Sequence, residues 1–266
     1  MTRIRYGARS LDEMRNREVE ATKLDIWATT LVATYETDPD AVAAVLPPPL
    51  SPPAEPLVRV TIATVDVGRG YPQFGAGTVA VHARHEDLDG DYALVMPMTT
   101  EQAVVGGRET FGEPKKLADI SLAREDAEGR RGTRVHGEFT RMGVTFVAVD
   151  GRIVEELEPT PDRRRTSFYF KFLPSPTGKG FDGEPMLLYC HRDEKTRRLW
   201  KVSGDVTLTE SRFDPVADLP VLKLRDIELA ERSSVQTGEV VATVPADWIA
   251  PFVHQRYDDL SPVGSD

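Results

Sequence analysis

The sequence predicts a mainly β fold, a largely antiparallel sheet that closes or folds over on itself, with few short helices. Three observations support this. Most apolar runs are short, rich in β-branched residues, and bounded by Gly, Pro or Asp. They follow one another at short spacing, without the helical stretches that a βαβ array would need between strands. Convincing helix signals occur in only two places, near Asp38 and near the C-terminus.

Taken in order, the helix signal "TDPDAVAAVLPPPL" offers Asp38 as N-cap, Pro39 at the first helical position and a proline stop at Pro47. The first strand candidates are "PLVRVTIATVDV", "GTVAVHARHE", "DYALVMPM" and "LADISLARED". "EDAEGRRGTRV" reads as a hairpin connection through Gly129 and Gly132. "TRVHGEF", "VTFVAVDGRIVEEL", "SFYFKFL", "MLLYCHR", "LWKVSGDVTLTES" and "GEVVATV" follow as further strands. "VPADWIAPFVHQRY" reads as a helix kinked or broken at Pro251. The tract "LPPPLSPPAEP" is too short to separate domains, and no internal repeat is present, so residues 1–266 read as one domain, with 1–20 as an N-terminal extension.

Composition narrows the function. With 33 basic against 43 acidic residues and a net charge of −10, the chain lacks the clustered basic charge of a nucleic-acid surface. Arg163–Arg165 and Arg197–Arg198 read as solvated loops. The single cysteine, Cys190, excludes an internal disulfide and reads as a small buried hydrophobe. No stretch of eighteen apolar residues and no secretory h-region occur, which makes membrane association unexpected and a cytoplasmic location the expectation.

Few chemistries remain. His82 and His85 lie on a strand at a spacing that points them to opposite faces, so no metal site is expected. "GRGYPQFGAG" lacks a strand–turn–helix setting and "SPTGKG" lacks the upstream glycine of a phosphate loop; both read as turns. Neither H-E-x-x-H nor G-x-S-x-G occurs, and no cofactor is implied. Lysine chemistry is left, at the adjacent Lys115 and Lys116. The pair by itself is weak, because roughly four adjacent basic pairs arise by chance in a chain of this composition. Its setting in "GGRETFGEPKKLADISL" is more telling: it follows Phe111 and Pro114 and opens an alternating strand, where aromatic surface can take one lysine out of water.

On these residues the chain resembles the acetoacetate decarboxylase superfamily. Gly107, Arg108, Glu109, Pro114, Lys115, Lys116 and Leu117 fit its GRE…PKKL signature. "YETDPDAVAAVLPPPL" and "EPLVRV" look like its N-terminal segment, while "FKFLPS", "LWKVSGDVTL" and "DPVADLPVLKL" look like its C-terminal half. The resemblance implies an antiparallel β-barrel-like fold, a homo-oligomer, and Lys115 as the amine that forms a Schiff base with a small keto acid. A lysine activated beside a second cation is the device for which that family is known, which assigns a supporting catalytic role to Lys116. Arg108, Glu109, Glu101 and Phe111 are the candidate substrate contacts, with bracing of the loop an equal alternative for Arg108 and Glu109. Tyr92, Tyr169 and Tyr189 are candidate proton donors, none preferred.

A free lysine near pKa 10.4 is neutral in only about one molecule in 2,500 at pH 7. Burial of Lys115 against Phe111 and other apolar neighbours is expected to supply the required shift, since strand alternation points the Lys116 amine away. Decarboxylating members add an arginine and two glutamates, whose places here fall at Ala28, Thr61 and Ala76. Three functions follow: a Schiff-base lyase decarboxylating a β-keto acid, an aldolase–dehydratase using pyruvate through the same lysine, or a non-catalytic barrel that binds a small ligand.

Overall fold

The computed structural model describes residues 4, 6–15, 26–68 and 70–258. Eleven strands form one sheet: β1 (Trp27–Glu36), β2 (Leu57–Asp66), β3 (Phe74–His85), β4 (Leu88–Met98), β5 (Lys115–Leu117), β6 (Asp119–Arg124), β7 (Arg134–Arg141), β8 (Val144–Leu157), β9 (Arg163–Lys171), β10 (Met186–Leu208) and β11 (Lys223–Thr243). The order β11-β1-β2-β3-β4-β9-β10 closes through pairing of β10 with β11, giving a seven-stranded barrel. From the second half of β10 the sheet continues through β8, β7 and β6 as a flap. Pairing is antiparallel except where β4 meets β5 and β9, so the sheet is largely antiparallel, as expected, with two parallel contacts.

The barrel wall has two faces of different character. One carries Leu31, Ala33 and Tyr35 on β1, Val58, Val60 and Ile62 on β2, and Val79 and Val81 on β3, all buried. The flap's Phe139 and Phe146 complete this aliphatic and aromatic core. The other face carries Thr30, Ala63, Ala76, Ala80 and Ala93, which the strand register brings into line. A smaller cluster of Ala80, Ala93, Met96, Met98, Tyr169 and Cys190 lies there, with Phe111 and Val104 packed against it.

Strand β1 falls outside the sequence-based candidates, and so does the first half of β11. Both of β1's faces are partly buried, so "WATTLVATYE" shows no apolar–polar alternation to read. "MLLYCHR" and "LWKVSGDVTLTES" join into one 23-residue strand through the charged "DEKTRR", whose residues alternate between exposed and half-buried. Arg163–Arg165 open β9, Arg197–Arg198 lie within β10, and all five are ion-paired, which overturns their reading as loop residues: strands at a barrel rim carry charge.

Helix α1 (Pro39–Val45) is capped as expected, the Asp38 side chain accepting from the Asp40 N–H at 2.8 Å. The C-terminal segment breaks at Pro251 into α3 (Ala246–Ile249), a 3₁₀ turn and α4 (Val253–Arg256). Helix α2 (Glu101–Phe111) was not foreseen, because Gly106 and Gly107 in mid-helix cost helical propensity. It ends at Gly112, whose φ of 72° and contact with the β9 backbone leave no place for a side chain.

Candidate active site

Helix α2 and the three-residue β5 carry the signature. Met96 N–H donates to Pro114 O and Ala118 N–H to Met98 O, both at 3.0 Å, docking β5 on β4 beside the small-residue face. Arg108 Nη1 donates to the carbonyls of Lys115 and Arg256, each at 3.1 Å, while Arg256 Nη2 donates back to Arg108 O at 3.0 Å. Burial pulls the Arg256 guanidinium down to about 10. The two arginines thus clamp the ends of α2 and β5, which is the bracing alternative for Arg108.

The lysine amines diverge, as alternation along a strand requires. Lys116 Nζ lies 3.1 Å from Asp258 Oδ1, 3.5 Å from Asp214 Oδ1 and 3.3 Å from Phe213 O. Arg141 bridges the same two aspartates. Burial opposes ionisation of Asp258, yet hydrogen bonds from Arg141 and Lys116 keep it below the usual carboxylate range. Lys116 is therefore locked in a buried four-residue ion cluster.

Lys115 Nζ instead lies 2.8 Å from Glu113 Oε2, with the lysine side chain 13% and the glutamate side chain 1% exposed. Glu113 Oε1 accepts from Gln236 Nε2 at 3.0 Å and faces Arg192 Nη2 at 3.4 Å. Gln236 Nε2 also meets Cys190 Sγ at 2.9 Å. Burial pushes the Cys190 thiol up to about 11, in keeping with its reading as an inert buried residue. Tyr169, fully packed beside Glu113, is pushed far above its ordinary value by burial. A Cβ on Gly107 would overlap both Glu113 Oε2 and Lys115 Nζ, so the glycine is what lets α2 press against the pair.

The mainly apolar cavity expected around Lys115 is thus corrected: the amine sits against a buried carboxylate. Phe111 packs over Gly238 of β11, with the alanine–methionine cluster, and forms one side of this region. Glu101 and Glu109 are exposed on α2, on the side away from Gly107. Tyr92 is bound to Gln255 at 2.7 Å and Tyr189 to His85 at 2.6 Å, both away from the lysine. Ala28, Thr61 and Ala76 share the face that carries Ala80 and Ala93, by register, and bring no charge to it. An open groove of about 600 Å³ reaches the lysine segment, lined by Thr99, Arg108, Lys116, Asp119, Arg141 and Tyr257 among others.

Among the described residues no group of three or more His, Cys, Asp or Glu side chains could hold a metal ion, and no helix is long and apolar enough to cross a membrane.

A profile of the acetoacetate decarboxylase family matches residues 13–244. The chain belongs to that family. It is 28% identical over 212 residues to an acetoacetate decarboxylase of Burkholderia cenocepacia, covering 79% of this chain and 85% of that one. The fold matches the crystal structure of an acetoacetate decarboxylase from Legionella pneumophila with a TM-score of 0.69 at 21% identity, over 83% of this chain and 86% of that chain. It also matches an enduracididine biosynthesis enzyme, MppR, complexed with pyruvate, with a TM-score of 0.69 at 18% identity, over 82% and 90% of the two chains. The barrel with its flap is therefore the acetoacetate decarboxylase fold.

Proposed function

We propose that this protein is a lysine Schiff-base lyase acting on a small keto acid, with Lys115 as the nucleophile and Glu113 as its proton partner. The observation that carries this reading is the 2.8 Å contact between Lys115 Nζ and a carboxylate that is 1% exposed. Attack on a carbonyl needs the amine's lone pair, and Glu113 Oε2 is where the displaced proton goes. The carbinolamine then takes that proton as its hydroxyl leaves as water, giving a protonated imine. In a β-keto acid the C–CO₂ bond breaks and its electron pair flows into the imine, giving an enamine. Protonation of the enamine carbon and hydrolysis return the ketone and free Lys115. Lys116 stays outside this sequence and holds β5 in place.

A second reading, enamine formation by loss of a proton from pyruvate or a related 2-oxo acid, is favoured by one observation. The wall positions Ala28, Thr61 and Ala76 offer no charge to orient a small β-keto acid. Misplacement by about 1 Å costs on the order of a hundredfold in rate. Acetoacetate is therefore expected to release CO₂ slowly, while borohydride traps a small 2-oxo acid at Lys115, read by intact mass. Rapid acetoacetate turnover on the same preparation would remove the second reading.

The assembly proposed with this function is a homo-oligomer. The second half of β11 pairs with β10 alone and exposes Val235, Val240 and Val241 along an open edge, a feature that proteins normally cover. Light scattering should give a mass above that of the 29.5 kDa monomer.

A further inference from the structure

The small-residue face of the barrel carries a row of arginines leading away from Lys115. Arg192 on β10 stands directly opposite Arg165 on β9, and Ser167 of β9 stands opposite Asp91 on β4, which pairs with His82 on β3. Arg59 on β2 reaches the same place: it is ion-paired with Asp91, and its Nη2 lies 2.9 Å from His82 Nε2. Arg165 Nη2 lies 3.1 Å from Asp91 as well. Four cations, Arg59, Arg165, Arg192 and Lys115, are thus held by two carboxylates, Asp91 and Glu113. The neighbouring Arg163 is ion-paired with Glu194 and Arg84 with Asp89; Glu194 reaches Arg192 only through its longer-range field.

Like charges directly opposite on adjacent strands are destabilising, and the Arg165–Arg192 pair persists in a chain whose net charge is −10. Both side chains remain reachable from solvent, 23% and 31% exposed. Arg59, His82, Asp91 and Arg165 line an open cleft of about 700 Å³ at the barrel rim. Burial lowers the His82 pKa, so the ring supplies no further charge there near neutral pH.

We propose that this arginine row binds a second carboxylate, remote from the carbonyl, so that the keto acid processed at Lys115 is a dicarboxylate. The fork of an arginine matches a carboxylate bidentately, and a carboxylate lying between Arg165 and Arg192 would offset the charge that Asp91 and Glu113 leave uncovered. Arg192 Nη2 lies 3.4 Å from one oxygen of Glu113 and Lys115 Nζ 2.8 Å from the other, so a chain of a few carbons reaches from an imine at Lys115 to that pair. The substrate class rests on the Schiff-base reading; the anion site does not.

The test has two arms. Borohydride trapping compares 2-oxoglutarate with 2-oxopentanoate, which share a carbon chain and differ in the remote carboxylate. The expected half-saturating concentration is at least tenfold lower for 2-oxoglutarate, a preference that Arg165→Gln removes and Arg165→Lys, which keeps the charge without the fork, only reduces. Calorimetry with glutarate on the Lys115→Ala protein reads the anion site without the imine, and Arg165→Gln in that background should weaken binding at least tenfold. Trapping that fails with both acids, beside glutarate binding that depends on Arg165, would sink the Schiff-base reading and leave the anion site standing. Equal trapping of the two acids by the unmodified protein, or glutarate binding that is absent or unchanged by Arg165→Gln, would overturn the proposal.

Discussion

Lys115 and Lys116 are neighbours in sequence and inhabit two different environments. Lys116 is tied to two aspartates that a second cation, Arg141, also holds, so its amine is surrounded by fixed partners. Lys115 has one carboxylate at 2.8 Å, and that carboxylate is itself steadied from behind by Gln236 and Arg192. The difference teaches that strand alternation gives two adjacent lysines separate surroundings: Lys116 anchors the strand, and Lys115, the proposed nucleophile, keeps a single carboxylate partner. Repulsion between the amines is a weak account of the site, because each faces its own counter-charge.

The sharpest way to break this contrast is Lys115→Ala, which should abolish borohydride trapping completely while leaving the fold intact by circular dichroism. Trapping that survives, with the adduct at Lys116, would reverse the assignment. Next in size is Glu113→Gln. General acid–base help is worth about 10²–10⁴-fold, so the neutral amide should slow imine formation by about a hundredfold or more at pH 7 without moving the adduct from Lys115. A rate within threefold of the unmodified protein would demote Glu113 to packing. The smallest effect on chemistry belongs to Lys116→Ala, where trapping should persist at roughly a tenth of the rate, through a misplaced β5. Stability should carry most of its effect: breaking a buried ion cluster costs about 3–5 kcal/mol, on the order of a 10 °C fall in melting temperature for a domain of this size. An unchanged melting temperature would mean that Arg141 alone satisfies Asp214 and Asp258.

Much of this was legible in the sequence. The β-rich class followed from short punctuated apolar runs, and the Asp38 cap and the Pro251 break were written in local chemistry. Strand β1 was hidden because both of its faces are covered, and α2 because close packing on the Glu113–Lys115 pair demands a glycine that lowers its helical signal. Glu113 had an available signal in its place two residues before Lys115: the Lys115 N–H donates to Glu113 O at 2.8 Å in a tight turn through Pro114, and that turn brings the two side chains together. Arg192 and Gln236 had none. They sit 77 and 121 residues beyond Lys115 and meet Glu113 only because the register of β10 on β11 sets Arg192 opposite Gln236.

The closure of the barrel has a consequence for how the protein is made. Strand β1 pairs with β11 from Trp27↔Ser233 to Glu36↔Lys223, so an early strand waits for one of the last to be synthesised. Contacts of such long sequence separation slow folding, because the intervening loop must be closed before the pairing can reward it. Until β11 leaves the ribosome, β1 keeps an unpaired edge and Gln236 is missing from behind Glu113. Lys115, the proposed nucleophile, is therefore made 121 residues before Gln236, and the final seam of the barrel is also the step that completes the proposed site.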